Sequence, residues 1–596
     1  MHSSTLGETL LSKRLALPVF CSDPLSSVAY ATEQILLVLV LGGASALAFT
    51  PWVALAVICL LALVVWSYRQ TVYAYPNGGG AYAVSRDNLG PLASLIAASA
   101  LMVDYVLTVA VSVTAGVANI ASAIPVVGEH LVLVSSALII LLALMNLRGV
   151  KESGTLFAIP TYGFIAAVAA LFIGGLIAAL SGHPIRAESA NLPIDTPTLT
   201  GFALVLLVLR SFASGCTALT GVEAVSNGVP FFRKPKSRNA ALTLVAMGTI
   251  AISMFAGVTW LAISSGVKFA ENPAELGLPA DAVQPTVIAQ LGMAVFGSSG
   301  IGFYLLQAFT AAILILAANT AFNGFPILAS ILAADRFMPK QLKRRGDRLV
   351  FSNGVVILAA VAGLLILVFD GSVTRLIQLY ILGVFVSFTL SQAGMVVHWR
   401  KHAAEHGWSG TLIGELSVNA VGALATAVVL VVVLITKFTH GAWLVVIAVP
   451  VLFLMMKRIH RHYQRVSRQL RPKAAGITLP SRSHAIVLVS QLNEPALKAL
   501  AYARAIHPDT ITALRVDTDP ERTARLVDDW AERDVQVPLT IVSSRYQLTA
   551  PVLDFLDGLR VGPRDVVQVF VPEYVVGHWW EQVLHNQSAL RLKTRL

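Results

Sequence analysis

Long apolar segments recur from near the N-terminus to about residue 457. A helix that crosses a bilayer needs about 20 mostly apolar residues, and this requirement constrains the fold more than any other feature of the chain. Composition agrees, since 56% of the residues are hydrophobic and only 13% are charged. The pattern predicts an α-helical membrane protein with twelve spans, at residues 24–42, 52–72, 91–122, 131–147, 155–180, 200–229, 240–265, 297–325, 353–370, 374–398, 413–436 and 441–457.

The basic residues between these segments predict the orientation. Twelve spans place both termini on one side, and Lys and Arg accumulate in cytoplasmic loops. The loops on the side of the termini carry Arg69, Arg86, Arg148, Lys151, Arg233, Lys234, Lys236, Arg238, Arg336, Lys340, Lys343, Arg344, Arg345, Arg348, Arg400 and Lys401, whereas the opposite loops carry only Arg186, Lys268, Arg375 and Lys437. Both termini are therefore predicted to be cytoplasmic. This distribution explains the net charge of +11 without nucleic-acid binding.

The composition changes abruptly after residue 461. Short apolar strands are predicted at 484–490, 510–516, 537–543 and 565–571, and helices near 495–506, 519–533, 549–558 and 578–592. Apolar strands that alternate with helices indicate a parallel sheet covered by helices. The predicted organisation is a cytoplasmic N-terminal tail (1–12), a transmembrane domain (13–460), a linker (461–481) and a cytoplasmic α/β domain (482–596). No glycine-rich phosphate loop follows its strands, so we expect a packing or regulatory role.

The first predicted span opens with an acidic residue before a proline, Asp23-Pro24. Proline disfavours helical geometry at the preceding residue, so the helix is expected to be broken or to start there. Broken membrane helices expose backbone carbonyls and form cation sites in many transporters. A second interpretation is that Asp23 caps the helix at the membrane edge, with Pro24 in the first turn.

The third and sixth spans carry further polar groups. Asp104, Thr108 and Ser112 are spaced four apart, which places them on one helical face and predicts a polar pathway. In the sixth span Gly215 and Gly221 flank hydroxyl residues, as expected of an unwound helix. Close helix packing would also account for these glycines, but it would not explain the acid at 223. The spacing predicts that Thr217, Thr220 and Glu223 lie along one side.

Two broken helices five spans apart indicate an inverted-repeat transporter with its binding site at mid-membrane. The repeats would be spans 1–5 and 6–10, with two spans appended. Carboxylates and hydroxyls are hard oxygen ligands that suit an alkali cation, and no His/Cys cluster is predicted to hold a transition metal. The alternatives are an amino-acid or polyamine permease, which would want more glycine and fewer acids at the first break, and a membrane-anchored sensor. No set of nucleophile and base suggests an enzyme, and no cofactor is expected.

Four sequence stretches resemble the KUP/KimA-type bacterial potassium transporters of the amino acid–polyamine–cation superfamily. They are SDPLSSVAYATEQILLVL at 22–39, YPNGGGAYAVSRDNLG at 75–90, DYVLTVAVSVTAG at 104–116 and SGCTALTGVEAVSNGVP at 214–230. The resemblance implies a LeuT-like fold of 5+5 inverted repeats and proton-coupled K⁺ symport across the bacterial inner membrane. It also implies a homodimer formed through universal-stress-protein-like tails.

The same resemblance implies roles for individual residues. The cation-site positions of the family correspond to Asp23, Tyr30, Thr108, Ser112 and Thr220. Acidic positions linked to coupling and protons correspond to Asp104 and Glu223, and a gating tyrosine corresponds to Tyr380. Some relatives bind cyclic di-AMP, but no sequence in this tail can be assigned to that site, so the sequence leaves its regulation open.

Overall fold

The structure is a computed structural model, and it describes residues 11–78, 80–148, 154–182, 185–194, 196–279, 282–343, 352–438, 441–470, 480–544, 549–573 and 592. The chain forms two units, Met1–Arg468 and Gln469–Leu596. The predicted helix near 578–592 lies outside the described residues except for its last position. The loop residues Lys151, Arg344, Arg345 and Arg348 also lie outside them.

The first unit is helical. Its α-helices, numbered along the chain, are α1 (Lys13–Ser26), α2 (Val28–Val40), α3 (Thr50–Ala74), α4 (Gly80–Asn88), α5 (Pro91–Ala123), α6 (Pro125–Gly128), α7 (Leu131–Leu147), α8 (Gly154–Leu180), α9 (Gly201–Gly215), α10 (Glu223–Asn227), α11 (Lys236–Ser265), α12 (Val287–Phe296), α13 (Ile301–Ala334), α14 (Ser352–Val368), α15 (Val373–His406), α16 (Gly410–Lys437) and α17 (Ala442–Gln469).

Within the described residues, nine helices are long and apolar enough to cross a membrane. Three more apolar helices, α7, α12 and α14, are shorter. The first predicted span is not among the nine because it is divided into α1 and α2, of 14 and 13 residues. The fourth span has the predicted bounds, whereas α12 was not predicted.

The interruption of the first span differs from both interpretations of Asp23. The residue lies inside α1, which begins ten residues earlier at Lys13, so Asp23 neither caps nor begins a helix. The helix is interrupted only at Ser27, a single residue whose φ of −63° and ψ of −23° stay in the right-handed helical region. Pro24 is inside the helix and has no N–H for the backbone ladder, and the hydroxyls of Ser26 and Ser27 both donate to the Asp23 carbonyl, at 2.8 and 3.1 Å. Side-chain bonds of this kind compete with helical geometry.

The predicted break in the sixth span is confirmed. Helix α9 ends at Gly215, a 3₁₀ turn covers Cys216–Leu219, and α10 begins at Glu223. Between them Thr220 is extended, and Gly221 has a φ of +77°, a left-handed conformation that favours glycine. The prediction that Thr217, Thr220 and Glu223 share one helical side is wrong, because Thr220 and Gly221 leave the helical conformation between them.

Helix α5 is the centre of the first unit. It packs against α13 and α15, and α1 packs against α13 and α11. Close approach to α15 depends on Gly383, where an added Cβ would lie 3.0 Å from the Ala100 carbonyl of α5. The packing brings the polar face of α5 toward the broken helices.

The second unit is the predicted α/β fold. Its strands are β1 (Ser483–Leu488), β2 (Thr510–Asp517), β3 (Leu539–Ser543) and β4 (Val566–Phe570), and its helices are α18 (Glu494–Ala505), α19 (Pro520–Glu532) and α20 (Thr549–Asp557). The four strands form a parallel sheet in the order β3-β2-β1-β4. Two apolar clusters cover it, one around Val487 and Trp530 and one around Ile486 and Leu514, since alternate residues of a strand face opposite sides.

Candidate functional site

Buried hydroxyl groups join the two interrupted spans. The Ser27 hydroxyl lies 2.7 Å from that of Thr220 and 2.9 Å from that of Tyr30. The Thr220 hydroxyl also donates to the carbonyl of Thr217, at 2.9 Å. All four residues are buried, so the break in the first span and the break in the sixth are hydrogen-bonded to each other inside the protein.

The Asp23 carboxylate lies beside this cluster of hydroxyls, against the backbone of Gly221. A Cβ added at Gly221 would be 2.5 Å from Asp23 Oδ2, so only glycine fits at this position. The other carboxylate oxygen, Oδ1, is buried and receives no hydrogen bond from the described residues. Asp23 therefore has an acceptor free for a ligand.

Helices α5 and α15 contribute the opposite side of the site. The Thr108 hydroxyl lies 2.9 Å from the Asp104 carbonyl and 3.1 Å from the Tyr380 hydroxyl. The Tyr380 hydroxyl in turn interacts electrostatically with Asp23, Asp104 and Tyr30. The buried residues assigned from α1, α2, α5 and α15 thus meet around one point.

Two carboxyl groups face each other at the edge of this group. The buried side chains of Asp104 and Glu223 interact electrostatically with each other. Each also has a buried oxygen, Asp104 Oδ1 and Glu223 Oε2, that receives no hydrogen bond from the described residues. Two buried carboxyl groups that interact repel each other when both are charged, so this pair is suited to hold a proton.

The structure differs from the sequence prediction at two serines of the site. Ser112 is buried one turn beyond Thr108 on α5, but the hydrogen bonds described above do not include it. Ser27 has no counterpart among the predicted site residues, although it connects Tyr30 with Thr220. Its signal in the sequence is a second serine after Asp-Pro, which is too common a pattern to single out.

The chemical groups of the site are suited to bind a cation. It gathers three carboxyl groups and several hydroxyls in the protein interior, and electrostatic interactions connect Asp23 with Asp104 and Glu223. Within the described residues none of the three acids forms a salt bridge with Lys, Arg or His. Buried acids inside a membrane protein mark ion and proton pathways.

Comparison with known proteins agrees with this chemistry. Residues 16–456 match the family described as amino acid permease, and residues 481–596 match the KimA potassium transporter C-terminal domain. The chain is 39% identical to the potassium transporter KimA of Bacillus subtilis (strain 168), over 100% of its own length and 95% of that protein. This chain therefore belongs to the KimA family of membrane transporters.

Proposed function

We propose that this chain takes potassium ions into a bacterial cell by proton-coupled symport. The proposal is supported by its 39% identity to a protein named as a potassium transporter and by the chemistry of the site. In this proposal the first unit has twelve spans and a LeuT-like 5+5 inverted repeat, with both termini in the cytoplasm. The broken first and sixth spans are then the equivalent helices of the two repeats.

The observation that carries the proposal is the buried, unpartnered oxygen of Asp23 between two broken helices. Potassium sheds its hydration shell when protein oxygens replace the water. Asp23 supplies the charge, and the hydroxyls of Tyr30, Thr108, Ser112 and Thr220 supply neutral ligands. Tyr380 acts as a gate, because its hydrogen bond to Thr108 closes α15 over the site.

An amino-acid or polyamine permease is the second candidate, since the matching family is named for amino acids. A substrate carboxylate would meet three buried acids where it needs free N–H groups. The three buried acids favour a cation over a substrate that carries a carboxylate.

The Asp104–Glu223 pair is the proposed route of the proton. Glu223 is the first choice as carrier, because it follows Gly221 in the broken helix, where a change of conformation would alter its exposure. Asp104 is the second choice, since it begins the polar face of α5. A proton that leaves the pair frees a charge beside the ion, which couples the two movements.

The second unit is proposed to join two copies of the chain. Its parallel sheet with helices resembles a universal-stress-protein-like domain, and residues 481–596 match a domain found in a potassium transporter family. We propose a homodimer formed through this unit.

Uptake into proteoliposomes tests the substrate. Purified protein should take up ⁸⁶Rb⁺, a tracer for K⁺, and unlabelled K⁺ should compete with it. Amino acids and polyamines in excess should leave the flux unchanged. Saturable amino-acid uptake without movement of Rb⁺ would make the permease correct. Restoration of growth at low K⁺, in a host that lacks its own K⁺ uptake, is the matching test in cells.

A further inference from the structure

The last turns of α15 bring two histidines and a glutamate together. The side-chain ligand atoms of His402, Glu405 and His406 all lie within 4.8 Å of one another. The two imidazole rings are 4.3 Å apart between centroids. His402, Glu405 and His406 lie on one face of α15, because positions three and four apart are neighbours on a helix.

This arrangement has the chemistry of a transition-metal site. Two histidines at positions i and i+4 of a helix can bind one Zn²⁺ ion, and a carboxylate is an accepted third ligand. We propose that His402, Glu405 and His406 bind a divalent transition-metal ion, with Zn²⁺ as the biological ligand and water in the fourth position. This proposal departs from the expectation that no His/Cys cluster holds a transition metal.

The second ring nitrogen of His406 supports the assignment. Its Nδ1 lies 3.3 Å from the carbonyl oxygen of His402. Histidines that bind metals commonly donate their other N–H to a backbone carbonyl, which fixes the tautomer and aims the free nitrogen at the ion. In His406 this leaves Nε2 for the metal.

The surrounding charges are compatible with a dication. Lys401, the nearest cation in the helical register, directs its ammonium group to the carbonyl of Asp87, at 3.2 Å. Arg400 lies on the opposite face of α15. Glu415, near the start of α16, interacts electrostatically with His402 and adds a negative charge. Glu405 and His406 are exposed, so an ion can reach them from solvent.

The proposed metal site is separate from the cation site. His402 follows Tyr380 by 22 residues of the same helix, which corresponds to about 33 Å at 1.5 Å per residue. The inference therefore does not rest on the proposed transport function. Its test uses binding rather than uptake.

Titration with Co²⁺ tests the site, because Co²⁺ replaces Zn²⁺ and absorbs visible light when bound by nitrogen and oxygen ligands. The full chain, purified without a polyhistidine tag, is compared with His402→Ala/His406→Ala. His462→Ala, which removes an exposed histidine of α17, is the matched control. The wild type and the control should bind one equivalent of Co²⁺ more than the double variant, and added Zn²⁺ should displace it.

Equal Co²⁺ binding and equal spectra for the wild type and the double variant would overturn the proposal. His406→Gln alone provides a second measurement if the double variant unfolds, since this exposed residue ends the helix. In the wild type, Zn²⁺ should slow amide exchange over residues 402–407, because the ion joins successive turns. Unchanged exchange in the wild type, or equal slowing in His406→Gln, would also contradict the site.

Discussion

At the scale of single residues, the free-energy cost of burying three acids in a membrane protein indicates that they have a function. A charged carboxylate at the centre of a membrane helix costs about 2.5–3.5 kcal/mol on insertion scales. This chain buries Asp23, Asp104 and Glu223 together, and the described residues give none of them a salt bridge. In the proposed mechanism, a transported cation balances Asp23, and a proton balances the pair of Asp104 and Glu223.

Asp23→Asn tests the cation ligand. The substitution removes the charge with little change of shape, and one contact between unit charges at 4 Å is worth about 4 kcal/mol at an effective dielectric constant of 20. We expect ⁸⁶Rb⁺ uptake to fall at least about tenfold, while purified protein keeps its membrane insertion and thermal stability. Glu188→Gln, at the exposed first residue of a short 3₁₀ helix, should transport normally. Near-normal uptake by Asp23→Asn would leave this carboxylate without a role in binding.

Glu223→Gln tests the proton. Glutamine can still form hydrogen bonds but cannot release a proton, so the variant should lose the part of ⁸⁶Rb⁺ flux that an inward proton gradient drives. Some cation binding should remain, because Asp23 is unchanged. The measurement is flux into proteoliposomes with and without the gradient. If wild-type flux ignores the gradient and follows membrane potential alone, the protein is a uniporter.

At the scale of helices, the sequence predicts where polar groups lie better than how the backbone bends around them. The prediction that Asp104 and Thr108 share one face is correct. Helix α5 is continuous, so the spacing of these residues alone determines their face. The break after Gly215 is also correct, since glycines allow it. The interruption at Ser27 was missed, because it depends on two serine hydroxyls that compete for one carbonyl, and helix propensity does not contain that competition.

Tertiary contacts account for the remaining errors. The Ser27–Thr220 bond joins residues from different spans, and no local pattern could reveal it. Helix α12 begins where the Glu33 carboxylate accepts the Val287 N–H, at 2.9 Å, so a residue of α2 fixes its start. The sequence contains the HAAEH spacing at 402–406, although no His/Cys cluster was predicted to hold a transition metal.

Gly221→Ala tests the close contact between the two breaks. An alanine at φ +77° is strained by about 1–2 kcal/mol, and its Cβ would lie 2.5 Å from Asp23 Oδ2. We expect a lower melting temperature and loss of uptake. Gly414→Ala is the control, because a Cβ at that position of α16 meets no atom within 4 Å and alanine favours a helix. Wild-type uptake by Gly221→Ala would show that the contact is not needed.

At the scale of the molecule, all proposed ion ligands lie in the first unit, and the second unit has its own apolar cores. Sequence could predict this division because membrane helices and parallel strands have different apolar patterns. It could not predict the strand order β3-β2-β1-β4, which depends on contacts between distant segments.

Deletion of residues 475–596 tests the role of the second unit. The truncated protein should still insert and bind Rb⁺, but it should become monomeric or lose regulation of its flux, as measured by light scattering and uptake. Trp530→Ala offers a full-length comparison, because loss of this buried ring typically costs about 3–5 kcal/mol and should unfold or loosen the unit. A truncated dimer with unchanged kinetics would deny the unit both roles.

The hydroxyl groups around Asp23 also have a consequence for the sign of the ligand. A hydroxyl has one hydrogen and two lone pairs. The hydroxyls of Ser27, Thr108 and Thr220 each have a main-chain carbonyl within 3.1 Å, which competes for the single hydrogen that each can donate. Hydrogens directed at the main chain leave lone pairs for the interior of the group, where the Asp23 carboxylate adds more. The group therefore has more lone pairs than hydrogens to donate. An anion would add further lone pairs, whereas a metal cation would accept those already present.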